Sequence, residues 1–244
     1  MSVLDEAVDI SELGQRNFWV LWGKSFSGKT ELGSTFPKPM LYLQIGDDGS
    51  NTIANKDGIK AIRCDSTDKL KSAVKELKRD KRYKTVFVDT FSMITQVWVD
   101  KNITQKKKKM TQQAWGDLKT ETEEITRLLW ELSEKKIVVV SCHEATDTID
   151  GMEDEILPDV RPSVTKGART YLEGMANYGI HTTRLKKTGT DSEGNEVEII
   201  KYGAHLGANP YYWTKFQVDK SIKLPKIMIN PTYNKIMKII GGNE

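Results

Sequence analysis

The chain has 244 residues, of which 29% are charged and 38% hydrophobic, and its formal net charge is +3 at pH 7. This length predicts one domain with its own core, and two cysteines, Cys64 and Cys142, exclude a disulfide framework and favour a reducing compartment. Acidic residues interrupt the N-terminal apolar residues and later apolar runs are short, so we expect neither a secretory signal peptide nor a membrane span.

Short apolar runs alternate with amphipathic segments along the first two thirds of the chain. Strands are predicted at 17–22, 40–45, 61–64, 85–89 and 136–141. Helices are predicted at 29–35, from an N-cap at Thr67, at 93–100 and at 114–134. Strands that alternate with helices predict right-handed crossovers. We therefore expect an α/β fold with a mostly parallel sheet and flanking helices.

The pattern changes after about residue 180. Alternating segments at 180–187 and 197–201 flank a turn signal at 191–194, which predicts a β-hairpin. Further strands are predicted at 211–218 and 226–229, and a closing helix at 231–240. Residues 1–183 carry 27 basic and 28 acidic side chains, whereas residues 184–244 carry 10 and 6. We therefore expect a nearly neutral core over 1–183 and a basic, β-rich extension over 184–244 packed on it.

The strongest motif is a full match to G-x-x-x-x-G-K-[ST] between a predicted strand and a predicted helix. Its glycines let successive backbone N–H groups point inward and bind phosphate. Lys29 would bridge the β- and γ-phosphates of a nucleotide, and Thr30 would ligate Mg²⁺. The predicted phosphate-binding loop consists of Gly23, Lys24, Ser25, Phe26, Ser27, Gly28, Lys29 and Thr30.

Two acidic sites would complete a nucleotide-hydrolysing centre. Asp89 ends the apolar strand at 85–89 and is predicted to position the metal ion with Thr30. Asp48 follows the strand at 40–45 and is the first candidate for the base that orients the attacking water, with Asp47 second. An ordinary turn explains these two aspartates almost as well.

His143 follows the strand at 136–141, where a polar group could contact the γ-phosphate or the attacking water. A surface histidine without a catalytic role is an equally good interpretation. Cys142 beside it suggests a thiol nucleophile, but Cys64 is remote in the sequence and no metal-type spacing exists.

Taken in their order along the chain, these motifs resemble those of the RecA-like branch of the P-loop ATPases. More narrowly, the chain resembles small phage-encoded RecA-like nucleotide-binding proteins used in single-strand annealing and recombination. The residues that carry the resemblance are 23–30, 46–49, 86–90, 114–116, 138–143 and 223–231. Only the phosphate-binding loop is specific by itself, and the others support it through their order.

The resemblance implies binding of ATP and Mg²⁺, slow hydrolysis, and binding of single-stranded DNA by a homo-oligomer, either a ring or a filament. It implies a cytoplasmic location, in the host cell if the protein is phage-encoded, and a single-strand-binding protein is a further candidate partner. The family's glutamate after the second strand corresponds to Asp48, whose shorter side chain puts the catalytic rate in question. A basic residue that reaches a neighbouring subunit's γ-phosphate corresponds best to Lys220, with Lys215 and Lys223 as alternatives.

Two regions are candidates for contact with DNA. The lysine run at 106–109 lies between two predicted helices and could contact phosphates without reading sequence. A solvated charge run is an equally good interpretation. The long predicted loop at 144–169 begins with acidic residues that would repel DNA, which leaves its later basic residues as candidates. The candidate DNA-binding residues are Lys106, Lys107, Lys108, Lys109, Arg161, Lys166 and Arg169.

Other classes of protein share the phosphate-binding loop. A helicase loader or another replication ATPase would act through a partner protein instead of DNA. A small-molecule phosphotransferase would need an arginine-rich lid, which the sequence lacks. A purely structural nucleotide-binding subunit would fit the motif if Asp48 does not act as a base.

Overall fold

The computed structural model describes residues 7–9, 16–46, 49–147, 159–190 and 194–241. The strands in this part of the chain are β1 (Phe18–Gly23), β2 (Met40–Gln44), β3 (Ile59–Arg63), β4 (Thr85–Asp89), β5 (Ile137–Asp147), β6 (Asp159–Pro162), β7 (Tyr178–Thr190), β8 (Glu196–His205), β9 (Lys215–Phe216) and β10 (Ile227–Ile229). The α-helices are α1 (Lys29–Gly33), α2 (Thr67–Leu77), α3 (Ile94–Val99), α4 (Gln112–Leu132), α5 (Lys166–Met175) and α6 (Tyr233–Ile240).

One mixed sheet organises the chain, with the strand order β10-β8-β7-β1-β5-β4-β2-β3. The neighbours from β7 through β1, β5, β4 and β2 to β3 are all parallel. On the other side of β7, the pairs β7–β8 and β8–β10 are antiparallel, and β10 is the edge strand. The predicted α/β fold with a mostly parallel sheet is therefore confirmed.

Alternate residues of the central strands enter two apolar clusters, one on each face of the sheet. Phe18, Val20 and Trp22 of β1 join the cluster that contains residues of α2, α4 and α5. Trp19 and Leu21 of β1 join the cluster that contains residues of α1 and α6. Because both faces of β1 are fully buried, its sequence is continuously apolar.

Several boundaries differ from those predicted. The N-cap of α2 is Ser66, whose hydroxyl accepts from the Lys69 amide, so the prediction of Thr67 was one residue late. The segment predicted as one long loop contains β6 and α5, and β5 continues as far as Asp147 to pair with β6. In the predicted strand at 211–218, only Lys215–Phe216 is a strand.

The predicted C-terminal hairpin is formed by β7 and β8. Its two strands pair from His181 opposite His205 to Thr190 opposite Glu196, and β7 also pairs in parallel with β1. The predicted boundary between residues 183 and 184 falls inside β7. The hairpin therefore continues the sheet that carries the rest of the chain.

In the described ranges, no helix is both long and apolar enough to cross a membrane.

Gly33→Ala tests how tightly α1 packs on the sheet. A Cβ at Gly33 would lie 2.5 Å from ring atoms of Phe87, which is fully buried in β4. We expect this overpacking to lower the free energy of unfolding by about 1–3 kcal/mol, measured by urea denaturation. Gly116→Ala is the control, because a Cβ there meets nothing within 4 Å and alanine favours the helix. A Gly33→Ala protein as stable as the wild type would contradict this packing.

Candidate functional site

The loop between β1 and α1 has the shape that the motif predicts. Gly23 and Gly28 have φ angles of 150° and 92°, in a region that side chains disfavour, and Phe26 also has a positive φ of 61°. Lys29 is buried and its Nζ donates to the carbonyl oxygens of Gly23 at 2.9 Å and Lys24 at 2.8 Å. The Lys29 side chain thus lies against the loop, and the two together would bind phosphate.

The β7–β8 hairpin holds this loop from one side. A Cβ at Gly23 would lie 2.3 Å from the carbonyl oxygen of Thr182 on β7, so only glycine fits. The hydroxyls of Ser27 and Thr182 lie 2.6 Å apart in a buried hydrogen bond. The ring of Tyr202 on β8 packs on Gly28, where a Cβ would lie 2.9 Å from the ring. Sequence reasoning missed Thr182 and Tyr202, since no local motif marks them.

Asp89 lies at the end of β4, which is separated from β1 by the single strand β5. Its carboxylate accepts hydrogen bonds from Thr30 Oγ1 at 2.8 Å, Tyr42 OH at 3.0 Å and Thr90 Oγ1 at 2.8 Å. The hydroxyl of Ser141, on β5, donates to the same carboxylate. Asp89 is only 4% exposed, so its carboxylate has lost most of its contact with water. The four hydroxyls supply hydrogen bonds in place of that water. The structure therefore joins Thr30 and Asp89, as their positions in the sequence predict.

The residues around Thr30 and Asp89 fit a magnesium ion. Both supply oxygen atoms, the donor type that Mg²⁺ prefers. Gly49 lies against them, since a Cβ there would be 3.1 Å from Thr30 Oγ1 and 3.2 Å from Asp89 Oδ2. Within the described residues, no group of three or more His, Cys, Asp or Glu side chains could hold a metal by itself. A magnesium ion at Thr30 would therefore take part of its oxygen ligands from a nucleotide and from water.

A cleft of about 430 Å³ opens above this loop, a volume typical of small-molecule sites. One part is polar and contains Lys29, Thr30 and Asp89. Phe26, which is 83% exposed, and Tyr202, which is 40% exposed, add aromatic surface. The lining residues are Ser25, Phe26, Ser27, Gly28, Lys29, Thr30, Glu31, Gly49, Asn51, Thr52, Asp89, Thr90, His143 and Tyr202.

His143 lines the cleft, and its amide donates to the Ser92 hydroxyl at 2.9 Å. This position is compatible with contact to a phosphate or a water, and its role stays a prediction. The neighbouring Cys142 is fully buried, and burial raises the pKa of its thiol to about 12. The thiol is therefore protonated at neutral pH, which argues against a nucleophilic cysteine.

A buried histidine connects the loop to the C-terminal part of the chain. His181 Nε2 lies 3.0 Å from Glu144 Oε2, and Glu144 Oε1 lies 3.8 Å from Lys24 Nζ. The His181 ring stacks on Tyr212 with centroids 3.9 Å apart. Burial lowers the pKa of His181 to about 4, so the ring is neutral at pH 7. Sequence reasoning missed this cluster, because its members are far apart in sequence.

The remaining candidates for a catalytic role are two aspartates and three lysines. Asp47 and Asp48 fall outside the described residues, so their role as a base stays a prediction. Lys220 and Lys223 are exposed and are not part of the cleft lining. Lys215 donates to the carbonyl oxygens of Glu173 and Gly174 at 3.0 and 2.8 Å, and burial lowers its pKa. These contacts favour a structural role for Lys215.

The lysine run Lys106, Lys107, Lys108 and Lys109 is exposed just before α4. Three of these lysines, together with Trp98 and Ile103, line a shallow cavity of about 450 Å³. The run is separate from the cleft above the phosphate-binding loop and is accessible to a large polyanion.

The later basic candidates differ in exposure. Lys166 is exposed at the start of α5. Arg161 is partly exposed, 3.9 Å from Glu173. Arg169 is only 9% exposed, and its guanidinium donates to the Val164 carbonyl oxygen. Arg169 is therefore the least accessible of the three to a DNA backbone, and its contact with DNA stays a prediction.

Comparison with known proteins agrees with this geometry. A family model described as an AAA domain matches residues 16–204, which is more than half of the chain. The matched stretch contains the loop at 23–30, Asp89 and most of the β7–β8 hairpin. No curated protein matches the chain.

Proposed function

The chain belongs to the AAA domain family and is a nucleotide-binding P-loop ATPase, and we propose that it acts as a RecA-like protein in DNA recombination. In this proposal it hydrolyses ATP slowly with Mg²⁺, binds single-stranded DNA and promotes strand annealing. It works as a ring or filament of identical subunits, as the phage-type proteins that it resembles would.

The observation that carries the hydrolytic part of the proposal is the hydrogen bond between Thr30 and Asp89 beside Lys29. In P-loop ATPases a hydroxyl, a carboxylate and a lysine in this arrangement bind Mg²⁺ and the nucleotide phosphates. A bound Mg²⁺ would neutralise negative charge on the phosphates while the γ-phosphoryl group is transferred to water. Lys29 would place a positive charge at the same phosphates, and Asp89 would orient Thr30 and the hydrated ion.

The proposal for DNA is supported by the exposed lysine run at 106–109 and by Lys166. Flexible lysines bind backbone phosphates as point charges and need no particular base sequence. Annealing requires that the bases stay available for pairing, which suits a protein that contacts phosphates.

ATP turnover with and without single-stranded DNA, measured beside the size of the complex, tests the proposal. We expect DNA to raise the rate and a multimer to form on it. An ATPase that ignores DNA but forms a complex with a helicase would instead support the helicase-loader alternative.

Alanine at all four lysines, Lys106 to Lys109, is expected to weaken binding of single-stranded DNA about tenfold or more at about 0.1 M salt. The slope of log affinity against log salt should become flatter by about 0.7 for each DNA phosphate that the variant no longer neutralises. Fluorescence anisotropy with a labelled oligonucleotide across a salt series measures both quantities.

The matched control replaces four other exposed basic residues, Lys75, Arg79, Lys81 and Lys84, and so makes the same change in net charge. Equally weakened binding in the two variants would mean that net charge, not the lysine run, governs DNA binding.

A further inference from the structure

Tyr202 is an aromatic side chain at the nucleotide cleft that no motif assigns. It comes from β8, and its ring packs on Gly28 of the phosphate-binding loop. The residue is 40% exposed and lines the same cleft as Lys29 and Thr30. A large aromatic surface therefore remains accessible beside the phosphate-binding groups.

Hydrogen bonds on both strands of the hairpin fix the position of Tyr202. Its carbonyl oxygen accepts from the Asn230 amide at 2.7 Å, and Arg184 of β7 lies opposite it in the ladder. Two residues before Arg184, Thr182 bonds to Ser27 of the loop. The ring is thus held against the loop before any ligand binds, which reduces the ordering cost of a contact with it.

The chemistry of the cleft divides a nucleotide into two parts. Lys29, Thr30 and Asp89 supply charge and oxygen atoms, which suit phosphates and their metal ion. An aromatic ring gains little from a phosphate, whereas a nucleobase offers a flat π face that stacks on it. An exposed ring beside a phosphate site therefore suits the base of the same nucleotide.

We propose that Tyr202 is the platform on which the nucleotide base stacks, so that the C-terminal hairpin supplies one wall of the ATP site. This inference rests on the proposed function as an ATPase and adds a binding residue to it. The competing explanation is that Tyr202 only supports the loop by packing on Gly28.

Two ligands distinguish these explanations, ATP and inorganic tripolyphosphate, which has the phosphates but no base. We expect Tyr202→Ala to weaken ATP binding roughly tenfold to one hundredfold and to leave tripolyphosphate affinity within about twofold. Tyr202→Phe, which keeps the ring, should bind ATP within about threefold of the wild type. Isothermal titration calorimetry with each ligand, in the presence of Mg²⁺, measures these affinities.

Tyr211→Ala is the matched control, because Tyr211 is 47% exposed and is not part of the cleft lining. Equal weakening of ATP and tripolyphosphate binding in Tyr202→Ala would overturn the proposal in favour of loop support. Unchanged ATP affinity in Tyr202→Ala would also overturn the proposal. Phe26→Ala is measured beside it, because Phe26 also lines the cleft; if only that variant binds ATP more weakly, the base stacks on Phe26 and not on Tyr202. A wild-type protein that binds neither ligand would instead refute the assignment of the nucleotide site itself.

Discussion

Lys29→Ala is expected to abolish ATP turnover, with a fall of about 100-fold or more. Lys29 is the buried cation of the loop, and its Nζ reaches the carbonyl oxygens of Gly23 and Lys24 at 2.9 and 2.8 Å. When a nucleotide binds, the same ammonium group can turn from these carbonyl groups to the β- and γ-phosphates. Alanine removes both the charge and the donors, so we expect ATP affinity to fall with turnover.

The variant also tests stability, because it leaves two loop carbonyl groups without the Lys29 donor. Removal of these hydrogen bonds should cost about 1–3 kcal/mol, so thermal unfolding must accompany the kinetic assay. Lys60→Ala, at an exposed position of β3, is the control for removal of one lysine. Lys29→Arg keeps the positive charge, but the planar guanidinium group of arginine does not fit a site shaped for the compact ammonium group of lysine. We expect ATP turnover of Lys29→Arg to be nearly as low as that of Lys29→Ala. Unchanged ATP affinity in a folded Lys29→Ala protein would refute the site.

The phosphate-binding loop and the central strands could be predicted from the sequence because their signals are local. A strand buried on both faces, such as β1, is continuously apolar, and the glycines of the loop stand at a fixed spacing. The order of those strands in the sheet could not be predicted, because no short stretch of sequence indicates it. It depends on pairings between distant segments, such as those of β1 with β5 and β7.

Helix α5 was missed for reasons that its residues explain. Its N-cap, Thr165, makes no side-chain hydrogen bond, and Gly167 and Gly174 weaken the helical pattern. Arg169 is charged yet lies on the buried side with Ala168 and Leu172, so the buried face of α5 is not wholly apolar. The same burial makes Arg169 less accessible to DNA than its place in a predicted loop implied.

The contacts between the hairpin and the loop could not be predicted because they depend on two pairings at once. Tyr202 reaches Gly28 only when β8 pairs with β7 and β7 pairs with β1. The alternation of β8 indicates two faces but not which face meets the loop. The hairpin thus contributes Tyr202 to the lining of the cleft from a segment whose composition indicates only a basic, β-rich extension.

Asp89→Asn is expected to separate nucleotide binding from hydrolysis. Asparagine keeps the shape of the carboxylate, and the hydroxyls of Thr30, Tyr42 and Ser141 can still donate to its one oxygen or reorient toward its amide. The charge that would hold Mg²⁺ and orient its water ligands is removed. We therefore expect ATP affinity within about tenfold of the wild type but a fall in turnover of about 100-fold or more, by analogy with removal of other charge-stabilising groups.

Steady-state turnover at saturating ATP, with Mg²⁺ titrated from zero, measures this separation. Asp57→Asn is the control, because Asp57 is exposed and is not part of the cleft lining. Asp89→Ala should be worse than Asp89→Asn in stability as well, since it leaves the buried hydroxyls of Thr90 and Ser141 without their shared acceptor. Turnover within about threefold of the wild type in Asp89→Asn would show that the carboxylate only braces Thr30, and the ion would then depend on Thr30 and the phosphates alone.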